Sequence, residues 1–141
     1  GPKGERKHVR ILGRERCATQ IELAQTDCRN IGIQAPVRSS GDTKGTPGVT
    51  LRGPGGTLTV PEGVMIADRH IHMTPAQAAA FGLADGDRVQ VKIDGPKPGV
   101  MGGVLIRAND KCALDFHIDT DDGNAFLLKQ GQLVTVLGKE E

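Results

Sequence analysis

The stretch His70-Ile-His-Met-Thr-Pro-Ala-Gln-Ala-Ala-Ala-Phe-Gly-Leu83 decides the fold, because it joins a short strand to a short helix. Its first four residues alternate polar and apolar side chains, which is typical of a half-buried strand. Thr74 can cap a helix that begins with Pro75, since the first helical position needs no backbone N–H. Gly82 then ends the helix. The stretch therefore predicts a strand followed directly by a brief helix.

The same pattern occurs earlier in the chain. Aligned without a gap, residues 20–33 match residues 70–83, and apolar positions fall on apolar positions. Two of the fourteen pairs are identical, so a chance match is the alternative to an internal repeat. A Gly-Pro-x-Gly turn precedes each copy. A repeat predicts a pseudo-symmetric fold in which Glu22 and His72 occupy equivalent positions.

Glycine and proline turns divide the remaining chain into short apolar segments. Segments with alternating or β-branched residues are predicted to be strands, and they comprise 8–12, 48–51, 57–60, 88–93, 104–107 and 132–137. A further helix is expected to begin at Asp119 or Thr120 and to end before Gly131. Many short strands with a few short helices predict a mainly β fold of two small β-barrels with short capping helices.

Composition excludes two classes of partner. The 141 residues include no Trp, no Tyr and three Phe, and the net charge is +1. Nucleic acid is excluded, because single-stranded nucleic-acid platforms depend on base stacking against aromatic side chains. No apolar run approaches the roughly 20 residues that cross a bilayer, which predicts a cytoplasmic protein with no membrane partner. Lys and Arg outnumber Asp and Glu by ten to five in residues 1–60, which favours an anionic ligand there.

The cysteines indicate neither disulfides nor a thiolate metal site. Cys17, Cys28 and Cys112 are odd in number and lack the C-x-x-C spacing. Cys17 and Cys112 could be nucleophiles, but neither has a histidine beside it in sequence that would activate the thiol. All three cysteines are expected to be reduced, and burial in the core is the favoured role for Cys17 and Cys112.

The histidines indicate metal chemistry. Residues two apart on a strand share a face, so His70 and His72 project together. His117 lies in a second alternating segment, 114–119. Three neutral imidazoles suit a first-row divalent ion, of which zinc is favoured. The alternative is an ordinary solvated strand face.

Acidic and basic residues near these histidines suggest supporting roles. Asp68, Asp115 and Asp119 could accept hydrogen bonds that fix the imidazole tautomers, although Asp119 is also expected to cap its helix. Glu22 offers a carboxylate ligand, and Arg14 or Arg16, which precede it, could hold an oxyanion such as phosphate with a planar guanidinium. For Glu22 and for both arginines, a solvated surface position is the alternative.

Several motifs together resemble one known family. These are Arg69-His-Ile-His-Met-Thr-Pro75, Leu114-Asp-Phe-His-Ile-Asp-Thr-Asp-Asp-Gly-Asn-Ala125, Arg16 with Glu22, and Ala35-Pro-Val-Arg-x-Ser-Gly-Asp42. Their combination resembles the phosphate propanoyltransferase family, the phosphotransacylases of bacterial microcompartments. The resemblance extends over about residues 1–125.

The resemblance implies an enzyme with two zinc ions between two barrels. By that resemblance, His70, His72 and His117 are the ligands of one zinc. Glu22 is a carboxylate ligand of the other zinc, and Arg16 is the catalytic arginine that faces phosphate. The implied reaction interconverts a short acyl-CoA, such as propanoyl-CoA, plus phosphate with acyl phosphate plus coenzyme A. The resemblance also implies propanediol degradation, a bacterial microcompartment and a homo-oligomer.

The family places a further segment upstream of the point where this sequence begins. The first barrel is therefore expected to be incomplete, as a domain of residues 1–52 that carries Arg16 and Glu22. A second barrel domain, residues 53–141, is expected to carry the three histidines. We expect residues 1–52 to be the less stable part, ordered by the second barrel, by the upstream segment or by another protomer.

Two other function classes fit the same residues. One is a non-catalytic metal-binding or interaction barrel module, since the turn at residues 82–89 is common in small ligand-binding barrels. The other is a hydrolase that uses a single zinc ion held by three histidines, with a bound water as nucleophile.

Overall fold

The structure, a computed structural model, describes residues 1–13 and 17–140, which form two compact units with the boundary after Ala67. Strands outnumber helices in both units, so the predicted mainly β fold is confirmed. None of the helices in the described residues is long and apolar enough to span a membrane. The domain division after residue 52 stays a prediction, because compactness alone does not show that a unit folds independently.

The first unit contains a small parallel sheet, a hairpin and one helix. Its elements are β1 (Ile21–Glu22), α1 (Gln25–Ile31), β2 (Val37–Arg38), β3 (Val49–Gly53), β4 (Gly56–Val60) and β5 (Val64–Ala67). Strand β5 lies between β1 and β2 and is parallel to both, while β3 and β4 form an antiparallel hairpin. The helix packs its buried residues, Cys28 and Ile31, into the same apolar cluster as Ile21 and Val64.

The predicted strand at residues 8–12 is wrong. These residues form no strand, and Ile11 is 97% exposed. His8 has φ +57°, a left-handed conformation that interrupts an extended run. A strand needs a partner to satisfy its backbone groups, and no other described segment pairs with this one.

The second unit is built on one five-stranded sheet. Its elements are β6 (His70–Met73), α2 (Pro75–Ala80), β7 (Arg88–Ile93), β8 (Gly99–Ala108), β9 (Asp115–His117), α3 (Thr120–Phe126) and β10 (Thr135–Lys139). The strand order is β10-β7-β8-β6-β9, and β6 runs parallel to β8 but antiparallel to β9. Within residues 68–140 the edges of this sheet are β10 and β9, and closure into a barrel stays a prediction.

Alternation explains the core of the second unit. Strand β7 buries every second residue, as the pattern of residues 88–93 requires. The buried apolar cluster comprises Ile71, Met73, Ala78, Leu83, Val89, Val91, Ile93, Met101, Val104 and Ile106. Ile71 and Met73 belong to this cluster, so the intervening His72 points to the opposite face of β6, together with His70.

The internal repeat is visible in the backbone hydrogen bonds. In the first unit the bonds Cys28 N to Ala24 O and Ile33 N to Cys28 O measure 3.0 and 2.9 Å. At an offset of 50 residues, the second unit forms Ala78 N to Thr74 O and Leu83 N to Ala78 O, at 2.9 and 2.8 Å. In each copy a strand with a parallel partner leads into a helix that ends at a left-handed glycine. The two copies therefore share the same backbone connection from strand to helix.

The predicted helix caps are present. Thr74 accepts a hydrogen bond from Gln77 N while the Gln77 side chain accepts one from Thr74 N, which completes a capping box. Asp119 caps α3 by accepting from Asp122 N at 2.8 Å. The first cap fixes the direction in which the chain leaves β6, directly after the two histidines.

Candidate metal centre

Strand β6 is the centre of the candidate site, because both neighbouring strands place polar residues on its histidine face. His117 on β9 is the register partner of His70, and Asp115 is the partner of His72. On the other side, Arg107 of β8 is the partner of His72. Register partners point to the same face of a sheet, so the site forms from three adjacent strands.

The three imidazoles of His70, His72 and His117 converge. Their ring centroids are 4.7 to 5.0 Å apart, and one potential ligand atom from each lies within 4.8 Å of the others. Nε2 of His70 lies 3.2 Å from Nε2 of His72. Two nitrogens bound at about 2.1 Å to one tetrahedral zinc ion are about 3.4 Å apart. The donor set and its spacing therefore fit a divalent ion that prefers imidazole ligands.

Each imidazole contacts an outer partner through its other ring nitrogen. His70 Nδ1 lies 2.7 Å from the carbonyl oxygen of Asp68 and His72 Nδ1 lies 3.3 Å from Sγ of Cys112. His117 Nε2 lies 3.1 Å from Oδ2 of Asp115. When the nitrogens facing these partners carry the proton and donate it, the other nitrogen of each neutral ring is unprotonated. These unprotonated atoms are Nε2 of His70, Nε2 of His72 and Nδ1 of His117. Such hydrogen bonds are typical of metal-binding histidines.

The predicted acidic partners have different roles from one another. Asp115 contacts His117 through its carboxylate, as the sequence indicates. Asp68 contacts His70 through its backbone carbonyl, because its carboxylate pairs with Arg88 at 2.6 Å. Asp119 caps α3.

Cys112 is the site residue that sequence reasoning missed. It is partly buried beside His72, and Cys17 is exposed, so the prediction of buried core positions for these two cysteines is wrong. The distance of 40 residues between Cys112 and His72 hides the contact in sequence. Cys112 lies in the loop between β8 and β9, where a backbone turn joins Cys112 N to Asn109 O, and no pattern in the sequence marks its contact with His72.

The site favours the neutral form of the His72 imidazole. Partial burial lowers the pKa of His72 below its ordinary value. The positive charges of the neighbouring imidazoles and of Arg107 lower that pKa further, while Asp115 opposes them. A lowered pKa keeps His72 in the neutral form that binds metals. A cavity of about 230 Å³ adjoins this ring and is lined by His72, Asp85, Arg107, Ala108, Asn109 and Cys112.

Of the remaining predicted site residues, Glu22 lies in the first unit and Arg16 lies outside the residues that the structure describes. Glu22 ends β1, is exposed, and accepts a hydrogen bond from the Gln20 side chain. The other candidate arginine, Arg14, also lies outside the described residues. Their assignments to a second zinc ion and to phosphate stay predictions.

Comparison with known proteins gives one consistent family. The model of the family described as phosphate propanoyltransferase matches residues 1–129. The chain is 46% identical over 138 residues to the phosphate propanoyltransferase of Thermotoga maritima, and this match covers 97% of this chain and 66% of that protein. It is 47% identical over 126 residues to the Salmonella typhimurium phosphate propanoyltransferase, covering 89% of this chain and 60% of that protein. It is 45% identical over 139 residues to the phosphate propanoyltransferase of Rhodopseudomonas palustris, and this match covers 99% of this chain and 62% of that protein. The chain thus spans somewhat under two thirds of the length of these relatives.

Proposed function

The chain belongs to the phosphate propanoyltransferase family, and from that premise we propose that it transfers an acyl group between coenzyme A and phosphate. The substrates proposed are propanoyl-CoA, or a similar short acyl-CoA, and inorganic phosphate. The observation that carries the proposal is the cluster of His70, His72 and His117, whose potential ligand atoms lie within 4.8 Å of one another. Cytoplasm or a bacterial microcompartment is the proposed location, and a homo-oligomer the proposed assembly.

The three histidines are proposed to hold one zinc ion. When bound, zinc would supply Lewis-acid chemistry that polarises the acyl carbonyl or stabilises the departing thiolate. The chain itself positions the ligands: buried Ile71 and Met73 anchor β6, and the outer partners Asp68, Cys112 and Asp115 fix the imidazole tautomers. Zinc dependence of the reaction follows from this assignment.

The proposed reaction needs no covalent link to the protein. A phosphate oxygen attacks the thioester carbonyl carbon, so one C–O bond forms as the C–S bond breaks. Coenzyme A leaves as a thiolate and takes up a proton, while the hydrogen phosphate gives up its proton as the acyl phosphate forms. Holding both substrates beside one another makes this attack effectively intramolecular. We propose Glu22 as a ligand of a second zinc ion and Arg16 as a catalytic residue that faces phosphate.

A single-zinc hydrolase is the second candidate function. The His117 side chain is 48% exposed, so solvent reaches the cluster and a water could occupy an open position. The test is release of coenzyme A thiol from propanoyl-CoA by the zinc-loaded chain, measured with and without phosphate. Release that requires phosphate supports acyl transfer to phosphate, and release without phosphate supports hydrolysis. No release under either condition contradicts both and leaves a non-catalytic metal-binding module.

Replacement of Cys112 should weaken metal binding without removing a ligand. Cys112→Val deletes the hydrogen-bond partner of His72 Nδ1, and we expect zinc affinity to fall by about 10- to 100-fold, the range measured for outer partners of metal ligands. Competition with a chromophoric chelator measures this affinity. The matched control is Cys112→Ser, whose hydroxyl can accept the same hydrogen bond and should retain most of the affinity. Equal zinc affinity in the valine variant and the wild type would contradict the role given to Cys112.

A further inference from the structure

We propose that Arg107 and the cavity beside His72 form a binding site for a phosphate group of the substrates. This inference rests on the proposed function and adds to it a phosphate-binding residue and the location of the bound phosphate. The chemistry recognised is a phosphate oxyanion, which inorganic phosphate and the phosphate groups of acyl-CoA both carry.

Sheet register places Arg107 at the candidate metal centre. Arg107 on β8 is the register partner of His72 on β6, and both residues line the same cavity of about 230 Å³. Its charge acts on the His72 imidazole and is one of the causes that lower the pKa of that ring. A phosphate held by Arg107 would therefore lie next to the histidine cluster.

Arg107 has a positive charge that the described protein does not neutralise. Of the three arginines in residues 68–140, Arg69 pairs with Asp122 at 3.1 Å and Arg88 pairs with Asp68 at 2.6 Å. No carboxylate within residues 1–13 and 17–140 forms an ion pair with Arg107.

Two of the other polar residues that line the cavity accept backbone hydrogen bonds. Asp85 Oδ1 accepts a hydrogen bond from Ala108 N at 2.8 Å. Asn109 Oδ1 accepts one from Lys111 N at 2.9 Å. The guanidinium of Arg107 is therefore the lining group best suited to an anion. Guanidinium binds phosphate through two parallel N–H···O bonds, which an ammonium group cannot reproduce.

The size of the cavity favours a small anionic group. Pockets for drug-sized ligands occupy about 300–1,000 Å³, so about 230 Å³ suits a phosphate or the end of a larger molecule rather than a whole coenzyme A. The remainder of acyl-CoA would then lie outside this cavity.

Binding of two probes tests the site independently of catalysis. Inorganic phosphate and coenzyme A are titrated into wild type, Arg107→Gln, Arg107→Lys and the control Lys97→Gln, which removes an exposed charge from the same unit. We expect at least one probe to bind the wild type and the control equally, and to bind Arg107→Gln at least 10-fold more weakly. Arg107→Lys should fall between them. Each titration is done on the zinc-loaded protein and on protein from which a chelator has removed zinc. The result then does not depend on the proposed metal site.

The same titrations identify the source of the phosphate group. If Arg107→Gln weakens the binding of inorganic phosphate but not that of coenzyme A, the cavity is assigned to the acceptor substrate. If it weakens the binding of coenzyme A but not that of phosphate, the cavity is assigned to the acyl donor. Failure of both probes to bind the wild type would overturn the proposal, as would equal binding of both to wild type and Arg107→Gln. Because no turnover is measured, the proposed acyl transfer can fail while this site is confirmed, and the reverse also holds.

Discussion

His117→Ala is expected to reduce the zinc affinity of the chain by more than about 100-fold, beyond the range seen for loss of an outer partner. The substitution removes one of three converging imidazoles and leaves only the two on β6. Because the His117 side chain is 48% exposed, its loss should leave the fold intact. Chelator competition on the purified variant measures the affinity.

His8→Ala is the matched control for that experiment. His8 is the remaining histidine of the four, lies in the first unit and is exposed. Its replacement should leave zinc affinity unchanged. If His117→Ala also bound zinc as tightly as the wild type, the three-histidine site would be refuted.

Ile106→Ala is expected to lower the free energy of unfolding of the protein by about 2–5 kcal/mol, because it removes buried methyl groups and leaves a cavity. Ile106 is fully buried on β8 and is the register partner of Ile71, which lies between the two histidines of β6. A loss of this size is a large fraction of the stability of a small protein. Urea denaturation followed by circular dichroism measures it.

Val100→Ala tests whether burial causes that loss. Val100 lies on the same strand but is 52% exposed, so its truncation should change the free energy of unfolding by less than about 0.5 kcal/mol. Similar losses for Ile106→Ala and Val100→Ala would contradict the position assigned to Ile106 in the core.

The parts of the fold that the sequence predicts correctly are those that depend on residues close together in the chain. Alternation at residues 70–73 and the cap at Thr74 depend on neighbours within a few positions, and both are confirmed. The two copies also share a strand, a helix and a terminal glycine, as the repeat predicts, because these are local features; the equivalence of Glu22 and His72 stays a prediction. The convergence of His70 and His72 follows from strand geometry alone.

Nonlocal pairing explains what the sequence does not predict. Residues 8–12 have a strand pattern, but a strand forms only where another segment pairs with it. The places of Cys112 and Arg107 depend on the registers of β9 and β8 against β6, which residue patterns within one segment do not specify. These two residues supply the outer contact of His72 and the unpaired charge beside it.

The most direct test of the account locates the metal. Crystals of the zinc-loaded protein give anomalous difference maps when data are collected on both sides of the zinc absorption edge. We expect a peak in direct contact with one ring nitrogen each of His70, His72 and His117, and this peak should disappear below the edge. The absence of a peak at these three rings, with zinc present in the crystal, would contradict the metal centre on which the proposed function depends.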